Sequence, residues 1–403
     1  MRAGREVESV NARPSRQFPW QVAATLLCFG LFLASCQSGA DNLGVQSAPT
    51  DSAKPQTSIA SVAVEKAGGG ELLVGMVTTA GLAGANDQAH RDRIDGAKLA
   101  FEELANKAVA LEVVNSDGTP AALQNAAKDL TARKARVLIA SMGADQANAL
   151  RSGLSGQSLP VLALYSNAQP IPEGFYSFAS DRIDAIVEGS SFALAKGKKR
   201  LVAVLGPDVT ASEAEKLEAD MKQFGPSFAG TLRIDARGSV AAKDAERLDQ
   251  ADAIALVAGS ENLASLMASS ALSRALARPN AIAVIPPASS LANALPGSAS
   301  DVIFCRYDQN IQSTIGQRFL RRFGRPISVE AGYGYDAAAL SIGLSLAPGG
   351  SDGLQALLAS QSGFSGSLGL FRFSDKRRVQ RGCAIFKVQG RSIVPLHKAP
   401  PSF

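Results

Sequence analysis

Six apolar runs in this chain end in small polar residues, and those residues carry the chemistry the sequence offers. They are Thr78-Thr79-Ala80-Gly81, Ser141-Met142-Gly143-Ala144, Tyr165-Ser166-Asn167, Gly206-Pro207-Asp208, Gly259-Ser260-Glu261 and Pro286-Pro287-Ala288-Ser289-Ser290. Where such a loop opens a helix, its hydroxyls and backbone N–H groups can hold a carboxylate or a similar anion. The candidate contacts are Thr79, Ser141, Gly143, Ala144, Ser166, Asn167, Asp208 and Ser260. Taken one at a time, each loop reads more readily as an ordinary turn.

Reactive chemistry has no comparable support. There is no G-x-S-x-G elbow, Walker A loop, H-E-x-x-H motif or closely spaced cysteine pair, and Gly75, Gly81 and Gly84 do not make a dinucleotide fingerprint. The chain has two histidines, His90 and His397. His90 follows Ala89 and precedes Arg91 in a polar stretch and is expected to be exposed; neither histidine is expected to be a ligand. No nucleophile stands with a recognisable base, so the expectation is a protein that binds and is not an enzyme, with no cofactor and no metal.

The elements that position these loops alternate. Leu72–Val77, Leu111–Val114, Val137–Ala140 and Val161–Leu164 read as strands, followed by a second series at Leu201–Leu205, Thr231–Ile234, Ala253–Val257, Ala281–Ile285 and Val302–Cys305. Between the first two, Ile94, Ala97, Phe101, Leu104 and Ala108 recur at helical spacing. Thr119 is placed to cap a helix whose first turn holds Pro120. Continuous apolar strands separated by helices indicate parallel sheets covered on both faces, and two series indicate two α/β lobes. In such sheets ligands sit beyond the carboxyl ends of the strands, where the polar loops fall.

With 403 residues, 46% hydrophobic, the chain has ample material for two cores. Its formal charge is +5, and +3 without residues 1–35, which hold four Arg and two Glu. That excludes the strongly cationic footprint of a nucleic-acid binder. Arg13 and Arg16 precede the apolar run Val22–Leu33, long enough for a signal peptide but short for a membrane span. Residues 37–70 are rich in Ser, Ala, Gly, Pro and Thr and read as a flexible tether. Two basic groups, Arg318–Arg325 and Lys376–Arg381, read first as a solvated surface and, more sharply, as a patch for anionic lipid, peptidoglycan carboxylates or an acidic partner.

Several motifs resemble known families. Leu33-Ala34-Ser35-Cys36 resembles a bacterial lipobox, which implies a signal peptide over 1–35 and a lipid on Cys36. Gln37 in place of Asp implies sorting to the outer membrane. Val74-Gly75-Met76-Val77 with Asp95-Gly96-Ala97 resembles the opening of type I solute-binding proteins, the leucine/isoleucine/valine-binding family. Phe319–Pro326 followed by Gly334-Tyr335-Asp336-Ala337-Ala338 resembles a later segment of the same family. Gly363–Gly366, Gly369–Phe373, Arg381-Gly382 and Ala399-Pro400-Pro401-Ser402-Phe403 are similar to the ending of lipoproteins named penicillin-binding-protein activators.

The resemblance implies an α/β fold of two doubly wound parallel-sheet lobes joined by a three-crossover hinge, the periplasmic-binding-protein-like I architecture. The first lobe would hold 71–180 and 308–375, the second 181–307 and 376–403. Ser141, Gly143, Ala144, Ser166 and Asn167 match the family's ligand loops. Cys305 and Cys383 would lie in second-lobe strands, where they either form a disulfide or pack as separate thiols. Two departures weigh against a free amino acid as ligand. The family's Tyr-Gly pair is missing at Gly206–Val209, and Pro286–Ser290 holds no acidic residue. Two functions follow. One is an envelope lipoprotein binding a small polar or amino-acid-like ligand for an ABC permease or a sensor. The other is an outer-membrane lipoprotein that activates a peptidoglycan synthase by protein contact.

Overall fold

The computed structural model describes residues 64–80, 87–154, 156–166, 168–235, 239–287, 301–307, 315–390 and 392–403. Cys36 and Asn167 lie outside the described residues. The first sheet contains β1 (Val64–Gly68), β2 (Leu72–Thr78), β3 (Val109–Asn115), β4 (Ala135–Ser141), β5 (Val161–Ser166) and β6 (Phe175–Ala179). Their order is β1-β3-β2-β4-β5-β6, parallel apart from β1, which runs antiparallel to β3. The helices α1 (Asp87–Leu104), α2 (Pro120–Ala132) and α3 (Ala144–Gly153) make the crossovers. Thr119 caps α2 by accepting the Ala122 N–H at 3.3 Å, with Pro120 in the first turn. Alternate residues of β2 feed opposite faces: Val74 and Met76 enter one core, Leu73 and Val77 the other. This two-sided burial is why the strand reads as one apolar run.

The chain then enters α4 (Arg182–Ala195), which packs on the second sheet. That sheet begins with β7 (Leu201–Leu205), β8 (Phe228–Arg233), β9 (Ala253–Val257), β10 (Ile282–Ile285) and β11 (Val302–Arg306). The intervening helices include α5 (Ala211–Met221), α6 (Ala242–Asp249), α7 (Ser260–Ala268) and α8 (Ser270–Leu276). Helices α9 (Ile315–Phe323), α10 (Val329–Leu346) and α11 (Ser351–Leu358) follow, and α9 and α10 return to the first core. A small antiparallel sheet, β12 (Phe364–Gly366), β13 (Gly369–Phe373) and β14 (Val379–Arg381), packs there too. Finally β15 (Ala384–Gln389) and β16 (Ser392–His397) complete the second sheet in the order β16-β15-β11-β10-β9-β7-β8. Cys305 and Cys383 form a disulfide with their Cα atoms 5.7 Å apart.

Three expectations need correction. Among the described residues the first strand begins at Val64, inside the stretch read as tether. β1 is an exposed edge strand held by backbone pairing, by Lys66–Glu112 at 2.9 Å and by Lys98–Glu65, so no apolar period announces it. The chain leaves the first core after Arg381 and not at 376, because β14 pairs with β13 and the Arg377 carbonyl accepts the Ser177 N–H at 3.0 Å. Most of the first basic group is ion-paired, and in the second Arg381 is buried while Lys376 is exposed. Arg318 pairs with Glu103 at 2.6 Å, Arg322 with Glu102 at 2.9 Å, and Arg325 with Asp92 and Asp95 at 2.6 and 2.5 Å. The Arg381 side chain is fully buried, 3.0 Å from the equally buried Asp336 and surrounded by the rings of Phe371, Tyr333 and Phe178. Asp336 also accepts the Ser367 and Leu368 N–H groups, so one carboxylate ties α10 to the β12–β13 turn and to β14. Such a pair fixes which elements meet more than it adds net stability.

Helices α1 and α10 touch backbone to backbone. A Cβ on Gly96 would fall on the Ala331 carbonyl oxygen, and one on Gly334 on the Arg93 carbonyl oxygen. Nothing stands within 4 Å of a Cβ on Gly343, further along α10. Gly96→Ala and Gly334→Ala should therefore destabilise the protein by about 1–3 kcal/mol through overpacking. Gly343→Ala should gain up to about 1 kcal/mol from helix propensity. Denaturant unfolding of the three variants checks the contrast.

Candidate binding cleft at the strand ends

Each large sheet has one place where successive crossovers leave in opposite directions. In the first, β2 lies between β3 and β4; in the second, β7 lies between β8 and β9. Loops beyond these paired strand ends diverge and leave a crevice, which is where open α/β sheets bind ligands. In the first sheet Thr78 stands opposite Ser141. Thr79 and Ser141 are buried, Ala144 is half-buried and Gly143 is exposed at the N-cap of α3. The Gly143 N–H donates to Gln146 Oε1 at 3.1 Å. His90, from the first turn of α1, reaches across so that its Nδ1 lies 2.9 Å from Ser141 Oγ. It is half-buried rather than exposed. Burial first, and then the charge of Arg93, push its pKa below the usual histidine value, so the imidazole is neutral at pH 7. A hydroxyl bonded to an imidazole can serve as an activated nucleophile. Ser141, however, has no exposed surface, so of this pair only the imidazole is partly exposed.

The remaining candidates are partnered within the chain. Ser166 Oγ donates to Asp181 Oδ2 at 2.8 Å, at the junction of β6 and α4. In the second sheet the Gly206 N–H donates to the Val257 carbonyl at 2.8 Å, drawing the ends of β7 and β9 together. Asp208 accepts from Arg182 at 2.6 Å, from the Gly259 N–H at 2.8 Å and from Asn262 at 3.1 Å. Arg182 is also held by Glu213 at 2.8 and 2.9 Å. Ser260 is exposed at the start of α7, with Oγ 3.4 Å from Glu261 Oε2. Among the described residues, no group of three or more His, Cys, Asp or Glu is arranged to hold a metal ion.

No protein-family model and no curated protein matches the sequence. Solved structures share its architecture. A branched-chain amino acid ABC transporter protein from Rhodospirillum rubrum superposes with a TM-score of 0.63 at 15% identity, over 81% of this chain and 99% of that one. Full-length LpoA from Haemophilus influenzae gives 0.61 at 14% identity, over 82% of this chain and 60% of that one. The LpoA C-domain, a regulator of PBP1A, gives 0.59 at 14%, over 80% and 99%. The fold is that of the type I periplasmic binding proteins.

Within this periplasmic-binding-protein fold, the first crossover carries charges that the sequence reading missed. Asp181 accepts the Ile183 and Asp184 N–H groups at 2.8 and 3.0 Å, capping α4, while its other oxygen takes Ser166 and the Ala168 N–H at 2.9 Å. Lys216 of α5 is buried beneath, 2.5 Å from Asp184, 3.0 Å from Asp220 and 3.7 Å from Asp181. The Asp181-x-x-Asp184 spacing is a capping signature that sequence inspection could have found; no local signal links it to Lys216. Burial, reinforced by repulsion from Asp181 and only partly offset by Lys216, raises Asp184 to about 6. Burial, and then Asp184, raise Glu188 as well.

The pH dependence follows. A carboxylate with a folded pKa above its unfolded value stabilises the protein at low pH, and that stability is lost as pH rises through the folded pKa. His90, shifted down, acts in the opposite sense over an overlapping range. The Asp184 contribution is therefore isolated by difference. Between pH 5 and 7, the melting temperature of wild type should fall relative to that of Asp184→Asn, as thermal unfolding across that range would show.

Proposed function

We propose that this chain is a non-enzymatic cell-envelope protein that acts by protein contact, as an activator of a peptidoglycan synthase. The observation that carries this reading is how the crevice groups are used. Among the described residues, Asp208 is taken by three donors and Ser166 by Asp181, so neither of these two stands free for an amino-acid ligand. The likeness to the LpoA C-domain, whose own role is regulation of PBP1A, supports it at the level of fold. So does Leu33-Ala34-Ser35-Cys36, which suits a lipid anchor on Cys36 at the periplasmic face of the outer membrane. Residues 37–63 would then let the folded body reach partners away from the membrane.

The anchored protein, captured from its own host, should bring down a penicillin-binding protein. Added to that purified synthase, it should raise the rate of glycan polymerisation several-fold. No co-purification and no stimulation would overturn the reading. A second reading is favoured by one feature, the His90–Ser141 pair at the first switch point: a small polar ligand bound in the crevice for uptake or sensing. On that reading His90→Ala abolishes the thermal stabilisation given by a peptidoglycan fragment or amino acid, whereas on the first reading neither compound stabilises the protein.

A further inference from the structure

We propose that residues 398–403 form a strap that fixes the angle between the two lobes, independently of the functional reading above. The segment leaves β16, the outer strand of the second sheet, where His397 pairs with Ile385 and its ring lies 5.6 Å from Phe192 of α4. It then crosses to the other lobe. Pro400 lies over Gly382, in the connection between β14 and β15: a Cβ there would stand 3.0 and 3.2 Å from the proline ring. Phe403 ends on the small sheet of the first lobe. Its ring edge would lie 3.0 Å from a Cβ on Gly363, and its centroid is 4.5 Å from the Arg372 guanidinium.

Each part of the path suits a strap. Gly363 has φ +71°, a left-handed conformation that favours glycine, and a Cβ there would meet the Phe371 carbonyl oxygen at 2.5 Å as well as the Phe403 ring at 3.0 Å, so the bare Cα admits both. Arg372 is itself held by Gln380 Oε1 at 2.9 Å and by the Gln361 carbonyl at 3.4 Å, so it is a fixed platform. Pro400 and Pro401 restrict the backbone between the anchors, and a stiff spacer transmits position where a floppy one would not. The crossing lies beside Cys383, whose disulfide to Cys305 ties the start of β15 to β11. Phe403 remains 42% exposed, and Lys398, Pro400, Pro401 and Ser402 are exposed too. The strap therefore lies on the surface and is held mainly by its ends, which makes it releasable. An exposed cation–π contact is weak enough to open without unfolding either lobe.

The test is the distance between spin labels carried by non-canonical amino acids at Asn125 in α2 and Lys243 in α6, both exposed, in the full chain. Electron–electron resonance on the otherwise wild-type protein should give one narrow distribution. Phe403→Ala should broaden or shift it, Phe403→Tyr should restore it, and Arg372→Gln should move it in the same direction by a smaller amount. Distributions that superimpose for wild type, Phe403→Ala and Arg372→Gln, with melting temperatures showing all three folded, would overturn the proposal. Should Phe403→Ala not fold, Arg372→Gln decides alone: a shifted distribution supports the strap, and an unchanged one refutes it.

Discussion

A carboxylate withdrawn from water must find donors or give up its charge, and the fold rests on how the buried Asp336 and the half-buried Asp181 and Asp208 meet that requirement. Asp181 takes four donors from both sides of the first crossover, so a single side chain starts α4 and seats the loop after β5. Asp208 does the same for the ends of β7 and β9, and Asp336 for α10, the small sheet and β14. All three are joints between elements distant in sequence. Residues that look from their position like ligand contacts are thereby committed to holding the scaffold.

The parallel strands were legible because both of their faces are buried, and an unbroken apolar run is what that burial requires. The runs at Leu201–Leu205 and Ala253–Val257 coincide with the strands observed. β1 was not legible, since an exposed edge strand such as Val-Glu-Lys-Ala-Gly needs only backbone partners. The short antiparallel strands β12–β14 draw on contacts with β6 and α10 that no local pattern encodes.

Within the candidate site the same division holds. His90 lies four residues before Ile94 and so extends the helical face formed by Ile94, Ala97 and Phe101; its charged neighbours Arg91 and Arg93 obscured that. The arginines of α9 looked like a patch because their acidic partners sit on α1, more than two hundred positions away. The loop positions could be read from topology, whereas the satisfaction of their polar atoms could not, because each partner comes from another element.

Fold and task separate at this point, since one architecture serves proteins that carry ligands and proteins that regulate enzymes. What distinguishes the two here is whether the crevice retains groups free to hold a small molecule. The most direct measurement is calorimetric titration of the full chain, freed of any carried ligand by unfolding and refolding, with each of the amino acids. The expected result is no saturable heat from any of them. Micromolar binding of one, lost in His90→Ala, would contradict a role exercised through protein contact alone.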